Sequence, residues 1–312
     1  MKYILTHDDA DGLISHAIIY RGIGADKDVV KHLFANYRDF AEKISSIGSE
    51  EGEIILADIG YNKGSFEALK ETVSEFNGDF SGYDHHEWPE EAKDTMKQLS
   101  KEFIVNEHLC ASEIVKNAFL PEDDVAIELA KIARAHDFHK SGTKGSEYHE
   151  IACKIQDVIT SGFDKSKIVE YLSGGHVWND DFEKAFQKYK PLKDAAIGEM
   201  DQTITEYELL PDMTVSLAYV QDMLESKDVR DYLMGNTESA VIIGLWRSGR
   251  VAYEMRDDEN KPLLEKIKHV FKGGGRGLAG GGVYEGVKDS GDYKESFEKM
   301  VNLIAEKSEV RL

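Results

Sequence analysis

The stretch KYILTHDDADGLISHAIIYRG, residues 2–22, runs from a short apolar segment through an acidic turn into a helical repeat. KYILT (2–6) is apolar, and Leu13, Ile14, Ala17 and Ile18 recur at helical spacing after the turn. The same unit follows three more times. VVKHLF (29–34) precedes YRDFAEKISSI, EIILAD (53–58) precedes SFEALKETVSEF (65–76), and GDFSGYD (78–84) precedes PEEAKDTMKQLS. Pro89 suits the first turn of that last helix. Strand–helix alternation of this kind predicts an α/β fold, with an N-terminal doubly wound, mostly parallel sheet covered by helices on both faces.

Beyond residue 120 the texture changes twice. Residues from about 120 to 205 read as mainly helical, with a clear helical period in VAIELAKIARAHDF (125–138). After the break at Pro211, TVSLAYV, SAVIIGLWRSGRVAYEMR and the glycine cluster 273–282 suggest a smaller α+β domain. Ser248-Gly249 would form the turn of a hairpin. The expected organisation is a metal-binding catalytic domain over 1–190, a helical linker over 191–210 and a C-terminal substrate-binding domain over 211–312. The catalytic cleft would lie between the two domains.

Composition narrows the function. The 312 residues carry 59 acids against 38 bases, a formal net charge of −21. Such a surface repels long polyanions, whereas a small phosphate substrate can still be held where metal ions reverse the local sign. Two cysteines make no disulfide framework and suggest a reducing, cytoplasmic setting. The N-terminal apolar run is too short for an export signal, and no stretch approaches the ~20 apolar residues of a membrane helix.

Ligands of open α/β sheets bind beyond the carboxyl ends of the strands. Here those ends deliver His7, Asp8, Asp9 and Asp11 from the first strand, Asp58 from 54–57, and Asp84, His85 and His86 from 79–83. Each piece alone is ordinary: Asp-x-Asp-Gly is a common N-cap and turn, and a His pair in a loop is usually solvated. Together they place carboxylates and imidazoles at one edge with no lysine or arginine in the motifs. Uncompensated carboxylates raise one another's pKa unless cations sit among them, and mixed Asp/His ligation suits manganese, zinc or iron better than calcium.

THDDADG (6–12), LADIG (56–60), YDHH (83–86) and the aspartate of ARAHDF (133–138) resemble the four motifs of the DHH phosphoesterase superfamily. The resemblance implies two divalent metal ions, foremost Mn²⁺ with Mg²⁺ and Co²⁺ as alternatives, held by His7, Asp9, Asp11, Asp58, His85 and Asp137. Asp58 would bridge the ions, His86 would face the substrate phosphate, and Asp84 would support the loop. The second half resembles the DHH-associated C-terminal domain. There Arg256, ending GRVAYEMR, would bind substrate together with Gly273, Gly274, Gly275 and Arg276 of GGGRGLAGGG. Arg276 stands where the family usually has histidine. His108 and Ser112 read as polar residues at a helix start, His16 as packed or solvated, and His136 and His139 as surface residues flanking Asp137.

The resemblance implies a metal-dependent hydrolase of short single-stranded RNA or DNA, or of small nucleotides, in the manner of a nanoRNase or 3′,5′-bisphosphate phosphatase. A single-strand exonuclease and a cyclic dinucleotide phosphodiesterase are the alternatives within the superfamily. A non-catalytic nucleotide-binding subunit is the alternative outside it. A homodimer is compatible with the sequence, and a membrane partner is not expected.

Overall fold

Alternation along the first strand builds two cores at once. In β1 (Lys2–His7), Tyr3 and Leu5 join one apolar cluster while Ile4 joins the other, on the opposite face of the sheet. β3 (Gly52–Ala57) repeats the division, with Ile54 and Leu56 on one side and Ile55 and Ala57 on the other. A strand buried on both faces belongs inside a parallel sheet covered by two helical layers.

That sheet has five parallel strands in the order β2-β1-β3-β4-β5, with β2 at Val30–Ala35, β4 at Gly78–Asp84 and β5 at Glu102–Val105. One face is covered by α2 (Phe40–Ser45), α3 (Phe66–Glu75) and α4 (Glu90–Leu99). The other carries α1 (Ala10–Ile23), α5 (Ala111–Phe119), α6 (Asp124–Asp137), α7 (Glu147–Thr160) and α8 (Lys165–Ser173). The chain reverses direction across the sheet between β1 and β3, the point at which open α/β sheets bind ligands.

The computed structural model describes all residues except 25–28, 49–50, 139–144, 211–212, 258–260, 272, 287–292 and 309–312, and gives 261–262, 275–276 and 307–308 as backbone only. It divides into two units, Met1–Tyr189 and Lys190–Leu312, and α9 (Asp180–Asp201) runs through the division. The second unit holds a six-stranded mixed sheet, β10-β11-β9-β8-β7-β6. Its strands are β6 (Thr205–Leu210), β7 (Met213–Val220), β8 (Val241–Trp246), β9 (Arg250–Met255), β10 (Gly274–Arg276) and β11 (Ala279–Val283). α10 (Ser226–Asn236) packs on one face, and α11 (Lys261–Val270) and α12 (Tyr293–Ser308) on the other. Among the described residues no helix is long and apolar enough to cross a membrane.

Two expectations need correction. The stretch 191–210 is helical only as far as Asp201, and Thr205–Leu210 pairs with β7 as an edge strand. Its sequence TEYELL alternates Glu206 and Glu208 with Tyr207 and Leu209, and the two apolar residues join the core of the second unit. The glycine run is a hairpin rather than a loop. β10 pairs with β11 around Gly277, whose φ of 59° favours glycine.

One glycine sets how closely α1 approaches β1. A Cβ on Gly12 would stand 2.2 Å from the His7 carbonyl oxygen, a backbone atom unable to move alone. Gly12→Ala should therefore cost about 1–3 kcal/mol of stability through overpacking. Gly198→Ala in α9, with nothing within 4 Å of the new methyl, should gain up to about 1 kcal/mol from helix propensity. Chemical denaturation of both variants checks the contrast.

Candidate metal centre

Register brings the acidic motifs together. Thr6 pairs with Ala57 and Ala57 with Tyr83, so the next residues, His7, Asp58 and Asp84, leave the sheet side by side. The Asp58 amide donates to the Tyr83 carbonyl at 3.0 Å and extends that alignment one residue past the strands. Asp137 arrives from elsewhere, as the last residue of α6.

Asp9 does two jobs. It is the N-cap of α1, accepting the Gly12 amide at 3.0 Å through Oδ1, while Oδ2 lies 2.8 Å from His7 Nδ1. The ordinary reading of Asp-x-Asp-Gly as a cap and the metal reading therefore both apply to one side chain. Asp11 is fully buried and receives the amides of Ala111 and Ser112 at 2.8 and 2.9 Å, together with the Ser112 hydroxyl. Ser112 is thus a buried partner of a candidate ligand, not an exposed helix-start residue.

Asp58 is, among the described residues, the non-glycine residue with positive φ, at 60°. Holding an L-residue there costs on the order of 1–2 kcal/mol, which the surrounding β3 and β4 pairing must offset. His85 Nε2 lies 3.2 Å from both Asp58 Oδ1 and Asp137 Oδ2. Three groups have potential ligand atoms within 4.8 Å of one another: His7 with Asp9 and Asp58, Asp11 with His85 and Asp137, and Asp58 with His85 and His86. All six residues expected as ligands fall in these groups.

The rest of YDHHEW fixes His86. Asp84 Oδ1 is 2.9 Å from His86 Nδ1, and Asp84 Oδ2 accepts the Trp88 indole N–H at 2.6 Å. Gly60 closes the arrangement, because a Cβ there would come within 2.7 Å of His86 Cβ and Cγ. The imidazole consequently has one settled orientation. Burial pulls its pKa down, but the Asp84 charge and hydrogen bond outweigh it, and the net shift is upward.

Burial and mutual repulsion govern the carboxylates. Asp58 is raised well above the ordinary carboxylate range, first by burial and then by Asp11, Asp9, Asp137 and Asp84. Asp11 is pushed up to about 8 by burial and by Asp137. For His7, burial is outweighed by Asp9 and more distant acids, giving a value of about 9. Among the described residues, the ion-pair partners of Asp9, Asp58, Asp84 and Asp137 are all histidines. A donor set of carboxylates and imidazoles, buried or half-buried and paired chiefly with one another, fits divalent cations, which would supply further positive charge.

No protein-family model and no curated protein matches the chain. Solved structures do. A DHH domain described as a member of the s1p family of ribosomal proteins has a TM-score of 0.69 at 13% identity, covering 98% of this chain and 86% of that one. The exonuclease RecJ bound to manganese gives 0.61 at 13% identity, with coverage of 99% and 90%. An exopolyphosphatase-related protein from Bacteroides fragilis gives 0.56 at 14% identity, with 98% and 92%. The chain has the DHH-superfamily fold.

Within this DHH fold, the residues expected to bind substrate from the second unit are engaged locally. Arg256 donates to the backbone carbonyls of Ser239 at 2.8 Å, Met234 at 3.0 Å and Thr237, tying the end of β9 to the exit of α10. Gly273 approaches the Gly281 carbonyl, while Gly280 packs against Tyr253, whose hydroxyl donates to the Gly274 carbonyl at 3.2 Å. Gly274 itself is open, and the side chain of Arg276 lies outside the described residues, as does Gly275 beyond its backbone.

Sequence reasoning missed several supports of the DHH-fold centre. Gln156 Oε1 accepts the Ala10 amide at 2.9 Å, and Lys165 Nζ lies 2.9 Å from Asp8 Oδ2. Both reach the acidic turn from α7 or α8, about 150 residues away in sequence, with no local motif to announce them. His136, expected at the surface, is buried and lies 3.4 Å from Asp137 through Nδ1; His139 is outside the described residues. Tyr37 could have been found by applying the strand-end rule to β2. Its ring lies 5.6 Å from His7 and 6.5 Å from His86, centroid to centroid.

Two measurements follow from these contacts. With metal chelated, Asp11 and Asp58 hold protons in the folded state that the unfolded chain has already released, from about pH 4 upward. The native state then binds more protons, so stability falls as pH rises toward about 8, and His7 adds to the fall above its ordinary value of 6.5. Melting temperatures in EDTA should decline from about pH 6.5 to 8, above the range where the depressed His16 and His32 act in the opposite sense; Asp11→Asn should flatten the decline and saturating Mn²⁺ should remove it. Separately, Arg256→Ala should destabilise by about 1 kcal/mol, the net worth of exposed hydrogen bonds whose carbonyl acceptors water can take over, a loss readable by denaturation without any substrate.

Proposed function

We propose that this chain is a two-metal phosphoesterase that hydrolyses short oligonucleotides or nucleotide phosphates with Mn²⁺. The observation that carries the reading is the convergence of Asp9, Asp11, Asp58 and Asp137 with His7 and His85, buried or half-buried, the carboxylates' ion pairs among the described residues being to histidines. His7, Asp9 and Asp58 would hold one ion, and Asp11, Asp58, His85 and Asp137 the other. When bound, such ions polarise a phosphoryl group and lower the pKa of water.

The chain's own residues account for the rest. Asp58, in the left-handed region, lies within reach of His7 and Asp9 and, at 3.2 Å, of His85, so one carboxylate could serve both ions. Asp11 is held rigid at the start of α5, so its remaining lone pairs have a fixed direction. Asp84 orients His86 and shifts its pKa upward, which favours the form whose Nε2–H can donate to a non-bridging phosphoryl oxygen as charge builds there. The net charge of −21 favours small substrates over long strands, which are ordinarily held in a basic groove. A reducing cytoplasm suits the free Cys110 and Cys153.

The test is a product time course with Mn²⁺ against an EDTA control. It compares two- to five-nucleotide RNA, a long single strand, adenosine 3′,5′-bisphosphate and a cyclic dinucleotide. EDTA-sensitive release of mononucleotides from the shortest RNA is expected, and Asp58→Ala should abolish it while the far-ultraviolet circular dichroism stays unchanged. Cleavage of the long strand or cyclic dinucleotide alone would overturn the substrate choice. Full activity in Asp58→Ala would overturn the metal assignment.

A further inference from the structure

Tyr37 has no role in the mechanism above, yet it is the aromatic residue placed against both ends of the site. It lies two residues beyond the end of β2 at Ala35. Its ring is tilted at 50° to His7 and stands edge-on to His86 at 89°. Packing does not explain this position, because Tyr37 belongs to none of the apolar clusters of either unit and the residue is 42% exposed.

The segment that carries it is pinned. The Asn36 amide donates to Asp39 Oδ1 at 2.8 Å, the Arg38 amide donates to Asn36 Oδ1 at 3.0 Å, and Asp39 pairs with Lys43 of α2 at 2.6 Å. Asn36 and Asp39 thus close a turn around Tyr37 from both sides. Burial and the nearby Asp84, Asp58 and Asp9 push the phenol pKa up, so the hydroxyl stays a protonated donor beside these carboxylates, while part of the residue stays open to solvent. A fixed phenol with its polar end in a metal-ligand cluster and its ring at the entrance suits contact with a bound ligand.

We propose that Tyr37 is a phosphate-binding residue of this centre, donating its O–H to a non-bridging phosphoryl oxygen beside His86. The proposal rests on the phosphoesterase reading for its ligand. The phenol is a neutral donor, so it adds a hydrogen bond to the anion without placing a cation that would compete with the metal ions for the same carboxylates.

The experiment is calorimetric titration of inorganic phosphate into the full chain with Mn²⁺, using wild type, Tyr37→Phe and Tyr37→Ala. Steady-state kinetics are run on whichever substrate the panel identifies. Tyr37→Phe keeps the ring and the fold while deleting one hydroxyl. It should weaken phosphate about tenfold, as expected for a lost hydrogen bond to a charged group, and lower kcat/KM with the same sign. Tyr37→Ala should do no worse on phosphate than Tyr37→Phe by more than a few-fold. Unchanged phosphate affinity in Tyr37→Phe, or a loss confined to Tyr37→Ala, would reduce the residue to ring packing and overturn the assignment, as would a wild type that binds no phosphate. If wild type binds phosphate but hydrolyses nothing in the panel, the phosphoesterase reading falls while the affinities still decide Tyr37.

Discussion

Repulsion among buried carboxylates is the constraint on which the site depends. Asp9, Asp11, Asp58, Asp84 and Asp137 are gathered at one edge of a parallel sheet, and the burial of Asp11, Asp58 and Asp84 limits the water that would screen them. The protein offsets part of that repulsion with imidazoles and with helix-terminal amides, as at Asp84–His86 and at Asp11 on α5. It leaves the remainder uncompensated. In the proposed metal centre, that remainder would favour divalent cations.

Holding the groups together despite the repulsion requires a frame that cannot relax. The parallel register of β1, β3 and β4 supplies it, because side chains leaving aligned strands have little freedom to move apart. Two close backbone approaches add to the rigidity: Gly12 against the His7 carbonyl, and Gly60 against His86. Each admits no Cβ, so each glycine sets how tightly a motif is drawn in. The positive φ of Asp58 belongs to the same logic, a local strain that the strands on either side sustain.

The second unit contributes differently. Its glycine run and Arg256 look from sequence like parts of a binding loop, but their visible engagements are with neighbouring backbone, in a tight hairpin and around the exit of α10. A glycine-rich segment satisfies two physical demands equally well, close packing of strands and close approach of a ligand. Composition alone does not separate them.

Much of the first unit was readable because its signals are local. Apolar alternation and helical period in residues 2–22 and the units that follow specify strands and helices, and the strand-end rule turns those boundaries into a list of candidate ligands from His7 to His86. Asp137 depended on a looser motif, and its nearness to His85 is visible only once α6 packs beside the sheet. Gln156, Lys165, Ser112 and Tyr37 were beyond or at the margin of such reading, since each acts on residues of another element, some 150 positions away for the first two. The chain by itself determined the α/β alternation and the chemical character of the strand ends, because periodicity and side-chain type are properties of short segments. Which carboxylates face one another, which are braced by amides and which aromatic ring stands over the histidines was decided only by tertiary structure, because those contacts arise from strand register and helix packing that no short segment encodes.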